Sequence, residues 1–247
     1  MRITFAGSSD GKPTKERACF CLMIEVNDAI YFIDAGAPII NKLLEYEKDV
    51  NKVKAIFTTH IHGDHTSGIF QYLDLINWYY TNNSVKVYLA DPAFGKVIEQ
   101  FIETAQYGTF QKDRIELIEE KAGTFYEDEN IKLTAIPTKH IKMGEHPSFA
   151  FLIEAEGKKA VVTGDMSIAL RGDDFPKEAL EDDIDLIISE FAHFSYREIR
   201  PYLEKAKPKQ FWFAHVAPLI KHQEIEEFKK DYSYPIFSAK DGDTIEL

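Results

Sequence analysis

The sequence predicts an α/β (α+β) fold in which mixed β-sheets are covered by helices. Three observations lead there. Short apolar or alternating runs bounded by Gly, Pro, Asn and Asp recur along the whole chain, segments with helical spacing separate many of them, and chemically capable side chains gather at the ends of the runs.

The strand candidates, in order, are Arg2 to Ala6, Phe20 to Val26, Ile30 to Asp34, Val53 to Thr58, Val85 to Leu89, Ile131 to Ile136, Phe149 to Glu154, Ala160 to Thr163, Leu186 to Ser189 and Phe211 to Ala214. Asn27-Asp28 joins two of them as a hairpin turn would. Helical spacing covers Ile39 to Lys48, Thr66 to Tyr80, Ala93 to Tyr107, Glu198 to Ala206 and Gln223 to Asp231. Hairpins early in the chain, then strands alternating with helices, give the mixed character of the sheets. Asp34, His60, His140, Asp165, Glu190 and His215 each stand at or just beyond a strand's C-terminal end, so the polar groups share one rim.

At 247 residues and 45% hydrophobic, the chain can fill one large core, and no composition shift divides it. A single domain over residues 1–247 is expected. The two cysteines, Cys19 and Cys21, alternate onto one strand face, poor geometry for a mutual disulfide, and read as reduced residues of a cytoplasmic protein. No apolar run approaches the roughly 20 residues of a membrane span, and no apolar signal segment opens the chain, so no membrane partner is expected. A net charge of −12 disfavours large nucleic acids, whose affinity rests on neutralising phosphates. A small anion drawn to bound cations is compatible with that charge. The acidic runs Tyr126-Glu-Asp-Glu and Glu181-Asp-Asp read as solvated turns.

Residues 58–68 read Thr-Thr-His-Ile-His-Gly-Asp-His-Thr-Ser-Gly, placing His60, His62, Asp64 and His65 within six positions directly after an apolar β-branched run. Alternate side chains of an extended segment point the same way, so His60 and His62 can converge on one ion. Gly63 allows a change of direction, after which Asp64 and His65 start a helix and face a second ion. A histidine-rich surface loop is the alternative, and it requires four ligand-type residues in register by chance. Three further candidates complete the coordination: His140 in Pro-Thr-Lys-His, Asp165 in Val-Val-Thr-Gly-Asp-Met, able to bridge through two oxygens, and His215 in Phe-Trp-Phe-Ala-His.

In this ordered set the chain resembles the metallo-β-lactamase superfamily, and within it the branch of ribonuclease Z and related cyclic-nucleotide phosphodiesterases. The resemblance rests on Ile3-Thr-Phe-Ala-Gly-Ser-Ser-Asp-Gly-Lys-Pro with Arg17, Phe32-Ile-Asp-Ala-Gly, Thr59-His-Ile-His-Gly-Asp-His, His140 before Ser148-Phe-Ala-Phe-Leu-Ile-Glu, Thr163-Gly-Asp, Asp185-Leu-Ile-Ile-Ser-Glu and Phe213-Ala-His. It implies a four-layer αββα sandwich with the site at one edge. It implies two divalent ions, zinc before manganese or iron, one on His60, His62, His140 and Asp165 and the other on Asp64, His65, Asp165 and His215. His146 competes with His140, and position directly after the strand favours His140.

Asp34 resembles the family position that hydrogen-bonds a ligating histidine, and is also a turn former before Gly36. Glu190 matches the catalytic Glu of the family's His-Glu-Ala-Thr segment, although Ser189 stands where that His would be. His193, three residues on, is either a proton donor near the site or a helix cap. His222 is read as a surface residue. Trp78-Tyr-Tyr and Tyr107 to Phe110 offer stacking surfaces for a base, or core and dimer contacts.

The resemblance implies a dinuclear hydrolase in which a metal-bridging hydroxide attacks, Asp64 holds that water or takes its proton, and His193 or another nearby acid protonates the leaving group. Family members that cut thioesters, β-lactams or lactones carry a Thr-Pro-Gly-His-Thr-type segment where this chain has Pro-Thr-Lys-His-Ile. Ribonuclease Z carries an RNA-gripping arm before its bridging Asp, yet here Asp165 lies only 25 residues after His140. A cyclic nucleotide or other small phosphodiester is therefore the expected substrate, as in the compact phosphodiesterases of phage type and their bacterial relatives. The alternatives are an ester, lactone or thioester hydrolase, a transfer-RNA 3′-processing endoribonuclease, and a metal-bound sensor without turnover. A homodimer is expected from the resemblance alone.

Overall fold

In the computed structural model, which describes residues 1–217 and 220–247, two seven-stranded sheets stack face to face and helices cover their outer sides. The N-terminal half supplies β1 (Arg2–Gly7), β2 (Cys21–Val26), β3 (Ala29–Ile33), α1 (Ile39–Glu45), β4 (Val53–Phe57), α2 (Gly63–Trp78), β5 (Val85–Leu89), α3 (Pro92–Ala105) and β6 (Ile115–Glu119). The C-terminal half supplies β7 (Gly123–Glu127), β8 (Lys132–Pro137), β9 (Phe149–Ala155), β10 (Lys158–Val162), β11 (Leu186–Phe191), α4 (Tyr196–Lys205), β12 (Gln210–Val216), α5 (Ile220–Phe228), β13 (Ile236–Ser238) and β14 (Thr244–Glu246).

The first sheet runs β14-β1-β2-β3-β4-β5-β6 and the second β13-β12-β11-β10-β9-β8-β7. Each has three antiparallel pairings followed by three parallel ones: β14 through β3 then β3 through β6, and β7 through β10 then β10 through β13. The chain is thus built from two similarly wired halves, with the last strand crossing back to the first sheet. The inner strands read as continuous apolar runs because both faces are covered. Tyr31, Ile33 and Phe57 point between the sheets toward Leu133, Phe151 and Ile188. Phe32 and Ile56 point outward to Ile69, Leu73 and Ile98 of α2 and α3. On the far side Ile187, Phe211 and Phe213 pack on Ile199, Leu203 and Phe228. These three cores make the four-layer αββα sandwich.

All ten strand candidates and all five helical segments are present, with ends shifted by a few residues. The four strands that the pattern does not predict, β6, β7, β13 and β14, are the four sheet edges. Edge strands are short and carry polar residues on an uncovered side, so alternation and apolar density are weak there. The Tyr126-Glu-Asp-Glu run is a correction: Tyr126 and Glu127 close β7, and Asp128 accepts the hydroxyls of Tyr31 and Tyr126 at 2.7 Å each. The Asn27-Asp28 hairpin forms, with Asn27 at φ 53° and Val26 facing Ala29.

Gly63 does not have the role assigned from the sequence. It opens α2 without a positive φ, and a methyl group there would meet nothing within 4 Å. Close approach is needed instead at Gly36, where a Cβ would lie 1.8 Å from the Asp64 carbonyl oxygen and 2.8 Å from Cys19 Cβ. That contact seats the first turn of α2 on the loop after β3. Replacing Gly36 by Ala is therefore expected to cost about 3 kcal/mol or more in denaturant unfolding, whereas Gly63→Ala is expected to be neutral or stabilising by up to about 1 kcal/mol. Equal effects of the two substitutions would contradict this seating.

Candidate metal centre

Strands β3 and β4 lie side by side in parallel, and their C-terminal ends begin the site. Asp34 follows β3 in the left-handed region, φ 56°, with its N–H still on the Phe57 carbonyl at 2.8 Å. Its fully buried carboxylate accepts the Thr59 N–H and hydroxyl, each at 2.7 Å, and Nδ1–H of His65 at 2.7 Å. Because the Thr59 hydroxyl donates to Asp34, it is free to accept from His60 Nδ1 at 3.0 Å. His140 Nδ1 likewise donates to the Met166 carbonyl at 3.1 Å. In His60, His65 and His140 the outer nitrogen is thus held by an acceptor, and Nε2 faces inward.

The inward atoms form two groups. His62 Nδ1 lies 3.0 Å from His60 Nε2 and 3.1 Å from His140 Nε2, and these three with Asp165 can hold a metal ion. Asp64 Oδ2, His65 Nε2 and His215 Nε2 stand 3.2 to 3.4 Å from one another and make a second such group. Asp165 Oδ2 sits between the groups, 3.8 Å from His60, 3.6 Å from His140 and 3.5 Å from His65. Lone-pair nitrogens that face each other do not hydrogen-bond, but donors on one tetrahedral zinc stand about 3.3 Å apart. Asp165 Oδ1 and His215 Nδ1 are buried 3.5 Å apart, and neither has a hydrogen-bond partner among the described residues. Such orphaned atoms call for an ion or water, and an all-histidine-and-carboxylate set suits a divalent cation.

The electrostatics agree. Burial disfavours charge on His65, yet Asp165 and Asp34 outweigh it and hold His65 well above the usual histidine value. Burial and the neighbouring His65 push His60 well below it. Burial works against ionised Asp64 and Asp165, but hydrogen bonds from His215 and His65 on the first, and the charges of His215 and His65 on the second, keep both below the carboxylate range. Asp64 also lies in the first turn of α2, where the helix dipole favours an anion. His215, at φ 53°, is a second left-handed non-glycine residue of this rim, and such a residue costs of order 1–3 kcal/mol unless its surroundings hold it. Its N–H is fixed on the Ser8 carbonyl at 2.9 Å.

Both carboxylate oxygens of Glu190 are engaged. Oε1 accepts from Met166 N–H at 2.8 Å and His193 Nδ1 at 2.9 Å, while Oε2 accepts from Ala192 N–H at 2.8 Å and His193 N–H at 3.0 Å. With both oxygens engaged, it holds the loops rather than offering a free acid or base. His193 stands with Asp165 and His215 as a third group, its Nδ1 3.8 Å from Asp165 Oδ2. Burial opposes its charge, but Glu190 and Asp165 push it up to about 9. His146 lies outside all three groups, 3.6 Å from Asp91.

A cavity of about 730 Å³ meets the cluster at His193 and is lined also by Ser9, Asp10, Lys12, Arg17 and His222, among others. His222, read from the sequence as a surface residue, is half-buried there and bonded to Ser238 Oγ at 2.5 Å. Its isolated position in the sequence carries no signal of this. Thr59 was also missed, although its place directly before His60 is the available clue. Trp78 and Tyr79 are exposed and end α2, about 22 Å along the helix from its metal-facing start, so they are not base-stacking groups of this site.

A family model described as Anti-Pycsar protein Apyc1 matches residues 1–233. The chain belongs to that family. Within the wider metallo-β-lactamase superfamily, the Apyc1-family chain is 27% identical over 173 residues to ribonuclease BN of Proteus mirabilis, covering 67% of this chain and 53% of that one. It is 26% identical over 155 residues to ribonuclease Z of Methanocaldococcus jannaschii, covering 62% and 47%. The chain thus spans about half the length of the curated relatives it matches. Its fold is similar to that of YhfI from Bacillus subtilis, with a TM-score of 0.78 at 20% identity over 100% and 99% of the two chains. It is also similar to the short form of human tRNase Z, with a TM-score of 0.74 at 17% identity over 100% and 99%. A diphosphatase of the PhnP family gives 0.71 at 18% over 100% and 97%. At these identities the structures show the shared fold.

Asp165 and Asp34 favour the protonated form of His65, so an ion at its Nε2 would displace a proton. Zinc affinity measured by calorimetry is expected to fall about tenfold per pH unit for each proton displaced as pH drops below neutrality, with matching proton release into the buffer. Affinity independent of pH would contradict this.

Proposed function

We propose that this chain is a metal-dependent phosphodiesterase acting on a small phosphodiester, a cyclic nucleotide first among them. The observation that carries the reading is a cavity of small-molecule size, carrying Lys12 and Arg17 as well as Asp10, that meets the converging side chains through His193. His60, His62, His140 and Asp165 would hold one ion, and Asp64, His65 and His215 with Asp165 would hold the other. Zinc fits this donor set, as do manganese and iron. When bound, two such ions supply a hydroxide nucleophile near neutral pH and neutralise charge on the phosphoryl oxygens.

The chain's own groups do the rest. Asp64, ionised and at the mouth of the second group, would hold the attacking water in place by accepting its hydrogen bond. His193, protonated at neutral pH and aimed by Glu190, gives a proton to the departing oxygen. Lys12 and Arg17, the latter held by Ser8 and the Ala239 carbonyl, would draw an anion past Asp10 into a molecule whose net charge is −12. The cavity volume lies in the range of small-molecule sites. Similarity to ribonucleases BN and Z supports a second reading, a transfer-RNA-processing nuclease. The acidic surface and the short stretch from His140 to Asp165 weigh against it.

The zinc-loaded protein is expected to hydrolyse 3′,5′-cyclic nucleotides and bis(p-nitrophenyl) phosphate, and to leave precursor transfer RNA, thioesters and lactones intact. Cleavage of the RNA alone would favour the second reading. Asp64→Ala is expected to abolish turnover, which a sensor would not show, and Asp34→Ala to lower activity about 10- to 100-fold by freeing His65.

A further inference from the structure

The turn Ala192-His193-Phe194 is gripped on both of its polar edges. On one side Glu190 Oε2 takes the N–H groups of Ala192 and His193. On the other, Lys221 Nζ from the start of α5 donates to the carbonyls of Ala192 at 2.9 Å and Phe194 at 2.7 Å, the two that flank His193. The same ammonium lies 4.8 Å from the centre of the buried Phe191 ring. An anion and a cation thus fix a three-residue turn from opposite faces, and the cation comes from 27 residues beyond it. The platform for Lys221 is itself anchored, since the next residue, His222, bonds Ser238 at the end of β13.

We propose that Lys221 is a positioning residue that sets the aim of His193 toward the metal cluster, and thereby proton delivery to the leaving group. This rests on the phosphodiesterase reading above. As water's oxygen bonds to phosphorus and the phosphorus–oxygen bond to the leaving group breaks, His193 passes its proton to the departing oxygen. Lys221 touches no reacting atom and transfers no proton. A neutral side chain in its place would leave both carbonyls without their donor and the turn held from the Glu190 side alone. His193 would then be fixed through Nδ1 but free to swing with its backbone.

The test compares zinc-loaded wild-type protein with Lys221→Met and Lys221→Arg. A 3′,5′-cyclic nucleotide leaves as an alkoxide and needs the proton, whereas bis(p-nitrophenyl) phosphate leaves as a stable phenolate. Lys221→Met is expected to lower kcat on the cyclic nucleotide by about a hundredfold, the lower end of general-acid contributions, and to affect the phenolate ester far less. Lys221→Arg restores most of the loss. In ¹⁵N-histidine spectra the Met variant shifts the His193 resonances and leaves those of His60, His65 and His140 in place. An unmoved His193 signal, or equal losses on both substrates, would overturn the proposal. If the wild-type protein cleaves neither substrate, the phosphodiesterase reading fails, and the spectra still decide whether Lys221 positions His193. Should Lys221→Met not fold, Lys221→Gln, which can serve one carbonyl, replaces it in the same measurements.

Discussion

One buried carboxylate organises the rim. Asp34 makes three hydrogen bonds at 2.7 Å, and each reaches a different part of the site: the backbone of the metal loop, the hydroxyl that orients His60, and the ring of His65. A buried carboxylate without such donors would be costly, so the three bonds are as necessary to Asp34 as Asp34 is to the ligands. Its left-handed backbone puts the side chain back over β4 instead of onward into solvent. The close seating of Gly36 on Asp64 then brings the second ligand pair under the same control. Two histidines from different groups of the rim are therefore oriented by one carboxylate.

The rim also resolves an electrostatic conflict. Three carboxylates, Asp34, Asp64 and Asp165, crowd around histidines that burial would keep neutral. In such surroundings cations are the natural partners, and the orphaned atoms of Asp165 and His215 point to where the shortage lies. Further out, Glu190 and Lys221 form a second tier in which opposite charges hold one turn.

The parts legible in the sequence were those with local signatures. The interior strands show as apolar runs, and the metal loop shows because four ligand types fall within six residues. His140, Asp165 and His215 were legible through their position at strand ends. What was hidden depends on the far side of the fold. The edge strands are specified by their neighbours more than by their own pattern. The clasp of Lys221 on a turn far away in sequence, the wall position of His222 and the full engagement of Glu190 all arise from tertiary contacts. Gly63 misled because a glycine after two histidines suggests a bend, while the close contact fell to Gly36.

The two similarly wired halves have a mechanical consequence. Each group of ligands draws on both: His60 and His62 stand with His140 and Asp165, and Asp64 and His65 with His215. Ions held there would act as fasteners across the seam between the halves, adding to the backbone bonds from Phe149 N–H to the Thr59 carbonyl and from His215 N–H to the Ser8 carbonyl that cross the same rim. Holding the site together and holding the halves together would then be one property, and neither half could carry the chemistry when separated from the other.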